Sequence, residues 1–360
     1  MMATLIIFIL VLAILILAHE FGHFIVAKKS GLIVEEFGFG FPPRIFGVKK
    51  GETLYSVNLL PLGGFVKILG EDGSEPDNPK SFSSKSAGVR GLITASGVFM
   101  NFLLAAFLLV VGFCIGIPQI IDQNNKSLAK NAEIQIVAVS SDSPAQTAGV
   151  KMGDVIKYLK IKDNNIAVSE IPTLQDIINN NKGREISLGL ERGGKTLEIK
   201  ATPRINPPEG EGALGIALAK TGVISYPWYQ SFWLGVKSTF AITWAIITGF
   251  FGLLKNLITS GKIPQDIAGP VGIAVLTNQA ATLGFIYLLQ LVAIISLNLA
   301  VLNLLPFPAL DGGRLLFIGI EKIKGSKVNP KVENAIHSIG MFLLIALILL
   351  ITYHDILKLK

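Results

Sequence analysis

His19, Glu20 and His23, in the stretch His19-Glu20-Phe21-Gly22-His23, are the residues whose types and spacing carry chemistry. Two histidines four positions apart lie on one face of a helix about one turn apart, so both imidazoles can reach a single metal ion. A glutamate beside the first histidine is then placed to hold a water at that ion and take its proton, as metal-assisted hydrolysis requires. Short patterns recur by chance, and the competing reading is polar side chains snorkelling at a helix end. Position decides between the two. The pattern closes an apolar run that begins at Ala3 and holds no charge before Glu20, and ionisable residues kept in such a run mark function.

A hydrolytic metal site usually takes three protein ligands and keeps a fourth position for water. The best third candidate is Asp311, in Asn303-Leu304-Leu305-Pro306-Phe307-Pro308-Ala309-Leu310-Asp311-Gly312-Gly313. Pro306 and Pro308 end the preceding apolar helix and extend the backbone, leaving Asp311 in an irregular segment beyond them. Taken by itself, Asp-Gly-Gly reads as a turn.

The elements that must position these residues are apolar. The 360-residue chain is 51% hydrophobic, with a mean hydropathy of +0.57, too apolar for a soluble protein with a polar surface. Ala3–Ala27, Gly91–Ile117 and Phe285–Leu305 have the length needed to cross a bilayer, about 20 residues for about 30 Å of hydrocarbon. Ile339–Tyr353 is shorter and becomes a span with its flanks. The fold class is therefore a polytopic α-helical membrane protein with four transmembrane helices, at residues 1–29, 90–118, 283–306 and 336–355. The first segment has neither a basic leader nor a small-residue cleavage site, so it is expected to be retained. A single cysteine, Cys114, excludes a disulfide framework and a Cys-rich metal module. The formal charge of +7 comes from Lys and Arg clustered beside the spans and calls for no nucleic acid partner.

Lys28, Lys29 and the further basic residues up to Arg90 put the loop of residues 30–89 in the cytoplasm and the chain before the first span outside. At about 1.5 Å per residue from Ala3, His19 lies about 24 Å and His23 about 30 Å across the bilayer, near its cytoplasmic face. Asp311 has to reach that face too. One crossing at Gly91–Ile117 and one return at Phe285–Leu305 deliver it there, followed by a cytoplasmic segment at residues 307–335. Another crossing at Ser238–Leu254 would send it to the wrong side. Residues 225–262 are therefore expected to form a membrane-surface or re-entrant helix.

Within the loop of residues 30–89, Val34–Phe41, Glu52–Leu60 and Gly63–Leu69 read as short β segments separated by Pro42-Pro43 and Pro61-Leu62-Gly63-Gly64. They predict a membrane-associated β-hairpin whose edge could take up an extended peptide. Between the second span and the rest lies a polar α+β block at residues 132–218. Its stretch Ser143-Pro144-Ala145-Gln146-Thr147-Ala148-Gly149-Val150-Lys151-Met152-Gly153-Asp154-Val155-Ile156 resembles a PDZ domain. The later Leu214-Gly215-Ile216 resembles the loop by which such domains grip a carboxylate through backbone N–H groups, and its late position implies a circularly permuted PDZ domain, inserted on the extracytoplasmic side.

Taken together, HEFGH in a first span, the PLGG hairpin, the PDZ block and NLLPFPALDGG after a later span resemble the site-2 protease family of intramembrane zinc metalloproteases, in its bacterial regulator-of-sigma-factor branch. The resemblance covers nearly the whole chain in the family's order. It implies one Zn²⁺ per chain, held by His19, His23 and Asp311, with Glu20 catalytic. It implies that Asn303, Pro306 and Pro308 shape a substrate cleft, and Gly63 and Gly64 lie in the hairpin expected to hold the unwound substrate strand. The implied partners are single-span transmembrane proteins, such as an anti-sigma factor or a remnant signal peptide, cut within the lipid bilayer of a bacterial cytoplasmic (inner) membrane. The PDZ domain would filter substrates or bind a peptide end. Some members carry two PDZ domains where this chain has one. A different class, a catalytically inactive membrane scaffold that captures partners through the PDZ domain, is opposed by the intact HExxH and LDG motifs. His337 and His354 read as interfacial residues, and Asn298 as helix-packing glue.

Overall fold

In the computed structural model, residues 2–122, 125, 127–161, 164–260 and 269–358 are described. Residues 261 and 262 of the expected surface helix lie outside them. The chain forms two compact units. One takes in Met1–Val110, Trp233–Gln279 and Leu289–Lys360, the other Val111–Phe232 and Ala280–Leu288.

The first unit opens with α1 (Met2–Lys29). Its Ile, Leu and Val would suit a strand in water, but in lipid a helix satisfies every backbone N–H and C=O within the segment. Lys28 and Lys29 close it, followed by Gly31 with φ +74°, a left-handed stop open to glycine. The strands β1 (Val34–Lys50) and β2 (Thr53–Ile68) then pair antiparallel. Their register is folded: residues 36–39 pair with both 54–57 and 64–67, while residues 44–50 pair with 53–58. Residues 64–67 pair on one side only among the described residues, so they form an edge. Ala27, Leu32, Val34, Ile68, Phe82 and Ile93 make the buried cluster that seats this sheet against α1 and α2 (Ala87–Ile115).

Three more long helices follow: α5 (Trp228–Ser260), α7 (Phe285–Leu304) and α9 (Pro330–Lys358). With α1 and α2 they make five helices long and apolar enough to cross a membrane among the described residues, where the sequence predicts four crossings. The fifth is α5. Its flanks extend the apolar stretch Ser238–Leu254 to 33 helical residues, so length and composition alone admit it. α6 (Pro270–Leu283) and α8 (Asp311–Lys324) are shorter, at 14 residues each. A small buried cluster of Ala105, Leu109, Ala293 and Leu297 joins α2 to α7. Small residues there let the helix backbones approach.

The second unit is a seven-stranded sheet in the order β3 (Ile117–Ile120), β9 (Ile216–Ile224), β4 (Lys130–Val139), β5 (Val155–Ile161), β7 (Ile186–Arg192) and β8 (Lys195–Ala201), with β6 (Asn164–Ala167) on β5. Two helices complete it: α3 (Pro144–Thr147), whose Ser143 accepts from the Gln146 N–H, and α4 (Ile171–Asn180). Leu174 and Ile178, four apart on α4, fill the core with Ile134, Ile136, Leu159, Leu188, Leu190 and Leu214. Asp154 is wholly buried. Arg192 pairs it bidentately at 2.6 Å, and the Lys151 N–H donates to it at 2.9 Å. The β9 strand continues past residue 218 to close against β3. Entry and exit of this unit adjoin, since the Tyr226 N–H donates to the Phe113 carbonyl at 3.0 Å.

Candidate metal centre

The helix of α1 places His19 and His23 side by side, their rings 4.9 Å apart and nearly perpendicular. The segment after α7 brings in Asp311 as the first residue of α8. His19 Nε2 lies 3.1 Å and His23 Nε2 3.4 Å from Asp311 Oδ2, and the two Nε2 atoms are 3.3 Å apart. Residues 19 and 311 meet because the loop between α7 and α8 is tight. Ala309 takes a left-handed φ of +78°, and a Cβ on Gly312 would overlap the carbonyl oxygens of Leu304 and Leu305.

The second helix sets the imidazoles. His23 Nδ1 lies 2.8 Å from the Ile93 carbonyl, which can only accept, so Nδ1 carries the proton and Nε2 presents a lone pair. His19 Nδ1 is 3.4 Å from Asn101 Nδ2, while Asn101 Oδ1 is buried without a partner. Turning the amide over lets His19 Nδ1–H donate to Oδ1 and turns its Nε2 lone pair inward as well. The Asn101 backbone carbonyl accepts from Ser296 Oγ on α7 at 2.8 Å. Gly97 leaves the room: a Cβ there would collide with His23 Nε2 and crowd His19 Cε1.

These donors fit zinc. Ligands tetrahedrally arranged about 2.0–2.1 Å from the ion sit about 3.3 Å from one another, as the three atoms here do. Two nitrogen lone pairs and a carboxylate oxygen converge, and Asp311 Oδ2 is buried without a hydrogen bond, so a positive charge has to balance them.

A cavity of about 190 Å³ opens beside the three residues and is lined also by Glu20, by Phe65, Val66 and Ile68 of β2, and by Glu71 and Arg314. Glu71 and Arg314 are ion-paired at its wall. Of the other expected site residues, Gly64 packs against Ile16 and Glu20 of α1, and Gly63 against the Phe41 ring. Asn303, in the last turn of α7, and Pro306 and Pro308, in the connection to α8, do not line this cavity. Leu214, Gly215 and Ile216 lie in the other unit. The Leu214 side chain fills its core, Ile216 pairs with Val139, and the Gly215 N–H donates to the Gly212 carbonyl at 2.9 Å. Sequence reasoning passed over Ile93, Gly97 and Asn101; of these, only Asn101 leaves a trace, as an amide within an apolar span.

Three converging donors with a glutamate at their side, carried on apolar helices, define a metal-dependent hydrolase built for a membrane. The comparisons with known proteins agree. A model described as peptidase family M50 matches residues 7–347. Similar proteins include zinc metalloprotease CPE1693 of Clostridium perfringens, a provisional name, at 37% identity over 95% of each chain. Zinc metalloprotease RasP of Oceanobacillus iheyensis is 30% identical over 99% of this chain and 100% of that one. The regulator of sigma-W protease RasP of Bacillus subtilis is 30% identical over 99% of each. The chain belongs to peptidase family M50, the site-2 proteases, and is a zinc-dependent metalloprotease of the membrane.

Proposed function

We propose that the protein hydrolyses peptide bonds within the transmembrane segments of single-span membrane proteins, with His19, His23 and Asp311 as the zinc ligands and Glu20 as general base. The observation that carries this reading is the triangle of donor atoms 3.1–3.4 Å apart beside a cavity lined by Glu20. Zinc held there supplies Lewis acidity toward water and the scissile carbonyl. Glu20 takes a proton from the attacking water and delivers it to the leaving amine. A helical substrate hides its scissile bond in its own hydrogen bonds and must unwind first. The one-sided edge of residues 64–67, against Glu20 and Ile16 at Gly64, is suited to pair with the unwound strand. Asn303, Pro306 and Pro308 shape the far side of the cleft in this reading.

The site lies near the cytoplasmic face of a bacterial cytoplasmic membrane, with the sheet unit and the start of α1 outside. The 3.1 Å approach of Asp311 to His19 supports this topology: a full crossing by α5 would leave Asp311 on the opposite face, so α5 lies on the surface or re-enters. The sheet unit is a circularly permuted PDZ domain that filters substrates by excluding folded external domains until a first cut removes them. Use of the Gly215 N–H within its own loop favours the filter over capture of a peptide end. An anti-sigma factor fits as a substrate, because the Bacillus subtilis relative is named a regulator of sigma-W; a remnant signal peptide has the same single span.

The test uses purified protein in detergent with a single-span substrate, products read by mass spectrometry and zinc measured alongside. Wild type should cut inside the hydrophobic segment, Glu20→Gln should keep zinc and cut at least about 10²-fold more slowly, and Asp311→Asn should hold zinc weakly. Cutting at the wild-type rate by Glu20→Gln would overturn the assignment of the base.

A further inference from the structure

His337 stands in α9, away from the three candidate ligands in sequence and absent from any motif. Its Nδ1 accepts a hydrogen bond from the Ala309 N–H at 2.9 Å. A nitrogen that accepts carries no proton, so this imidazole is neutral with its hydrogen on Nε2. Ala309 is the residue of the α7–α8 loop with φ +78°, a backbone state that a residue with a side chain keeps only when its surroundings impose it. It lies two positions before Asp311.

One turn further along α9, Gly340 meets the same loop. A Cβ at Gly340 would overlap the carbonyl group of Pro308, so the bare helix backbone is pressed onto residue 308 while His337 holds residue 309. The Phe317 ring of α8 also lies 5.6 Å from the imidazole, centroid to centroid. The last long helix thus grips the loop at two adjacent residues, one by a directed hydrogen bond and one by close packing.

We propose that His337 is a positioning residue for the metal centre: its Nδ1 fixes the Ala309 amide, which holds the left-handed turn and thereby aims the Asp311 carboxylate at His19 and His23. This rests on the reading of Asp311 as a zinc ligand. Groups that orient a ligand from behind typically change metal affinity or activity by about 10–100-fold when removed.

The experiment compares His337→Asn, His337→Gln and His337→Phe in the full chain in detergent. Zinc retention is read by competition with a chelator, and kcat and KM with a single-span substrate; thermal midpoints report folding. Asn places an acceptor oxygen near the position of Nδ1, whereas Gln carries it out toward Nε2 and Phe has none. His337→Phe and His337→Gln should lose zinc affinity about 10–100-fold and kcat with it, at little changed KM, and His337→Asn should restore both. Wild-type zinc affinity and kcat in all three would overturn the proposal, as would a His337→Asn variant that falls as far as His337→Phe, since that marks mere packing. Asp311→Asn runs beside them: if it binds zinc like wild type, the ligand reading fails and takes this inference with it. If it loses zinc while every His337 variant keeps it, only the positioning role fails.

Discussion

Two imidazole nitrogens and a carboxylate oxygen facing one another at 3.1–3.4 Å repel unless a cation joins them, so the centre is built around its metal. Glu20 stands apart from that triangle in role. Glu20→Gln should leave the zinc content unchanged and lower turnover about 10²–10⁴-fold, the range of a general base, measured as initial rates with metal analysis of the same sample. Gly97 is a steric counterpart. Gly97→Ala puts a methyl group against His23 Nε2 and should strip zinc from a protein that still shows native helix content by circular dichroism; unaltered zinc binding would show that α2 yields. His19, Glu20 and His23 were legible in the sequence because their relation is set by one helical turn. Ile93, Gly97 and Asn101 stand in no such relation to the motif. They become its neighbours only when α2 packs against α1, and no local pattern encodes that. His337 was read as interfacial for the same reason: its partner, the Ala309 amide, belongs to another element.

Among the elements, α2 and α8 are tied by Arg90 and Glu321, an ion pair whose side chains are only 11% and 6% exposed. Glu321 also accepts from the Val328 N–H at 2.9 Å. Glu321→Leu leaves Arg90 buried and uncompensated, which should cost about 3–5 kcal/mol, whereas Arg90→Met with Glu321→Leu together should recover most of it. Unfolding in detergent followed by tryptophan fluorescence would show the difference, and equal loss in single and double variants would contradict it. The β-sheet beside the site was partly legible. Its three apolar segments stand out between Pro and Gly, but residues 44–50 follow Pro42-Pro43 and read as a break, although they pair with residues 53–58. The expected helix of residues 225–262 takes in the whole of α5, although Trp228, Trp233, Lys237 and Lys255 dilute the apolar signal that marks its middle.

At the scale of the whole molecule, the sheet unit leaves and rejoins the rest of the chain at neighbouring residues, Phe113 and Tyr226. Replacing residues 117–225 by a short flexible linker removes it without cutting β3 from β9. Under the filter reading, the excised protein should cleave substrates that still carry a folded external domain, which wild type spares; a protein that no longer cuts any substrate would argue for peptide capture instead. A different consequence follows from the distance along the chain between His19 and Asp311. A ribosome makes the HExxH helix about 290 residues before Asp311, the third ligand of the proposed set. On that proposal, until residue 311 and the helix bearing His337 arrive, the growing chain carries His19, Glu20 and His23 but no complete zinc site. A protease whose substrates share its own bilayer is thus harmless while half-made, and any fragment from interrupted translation is born disarmed.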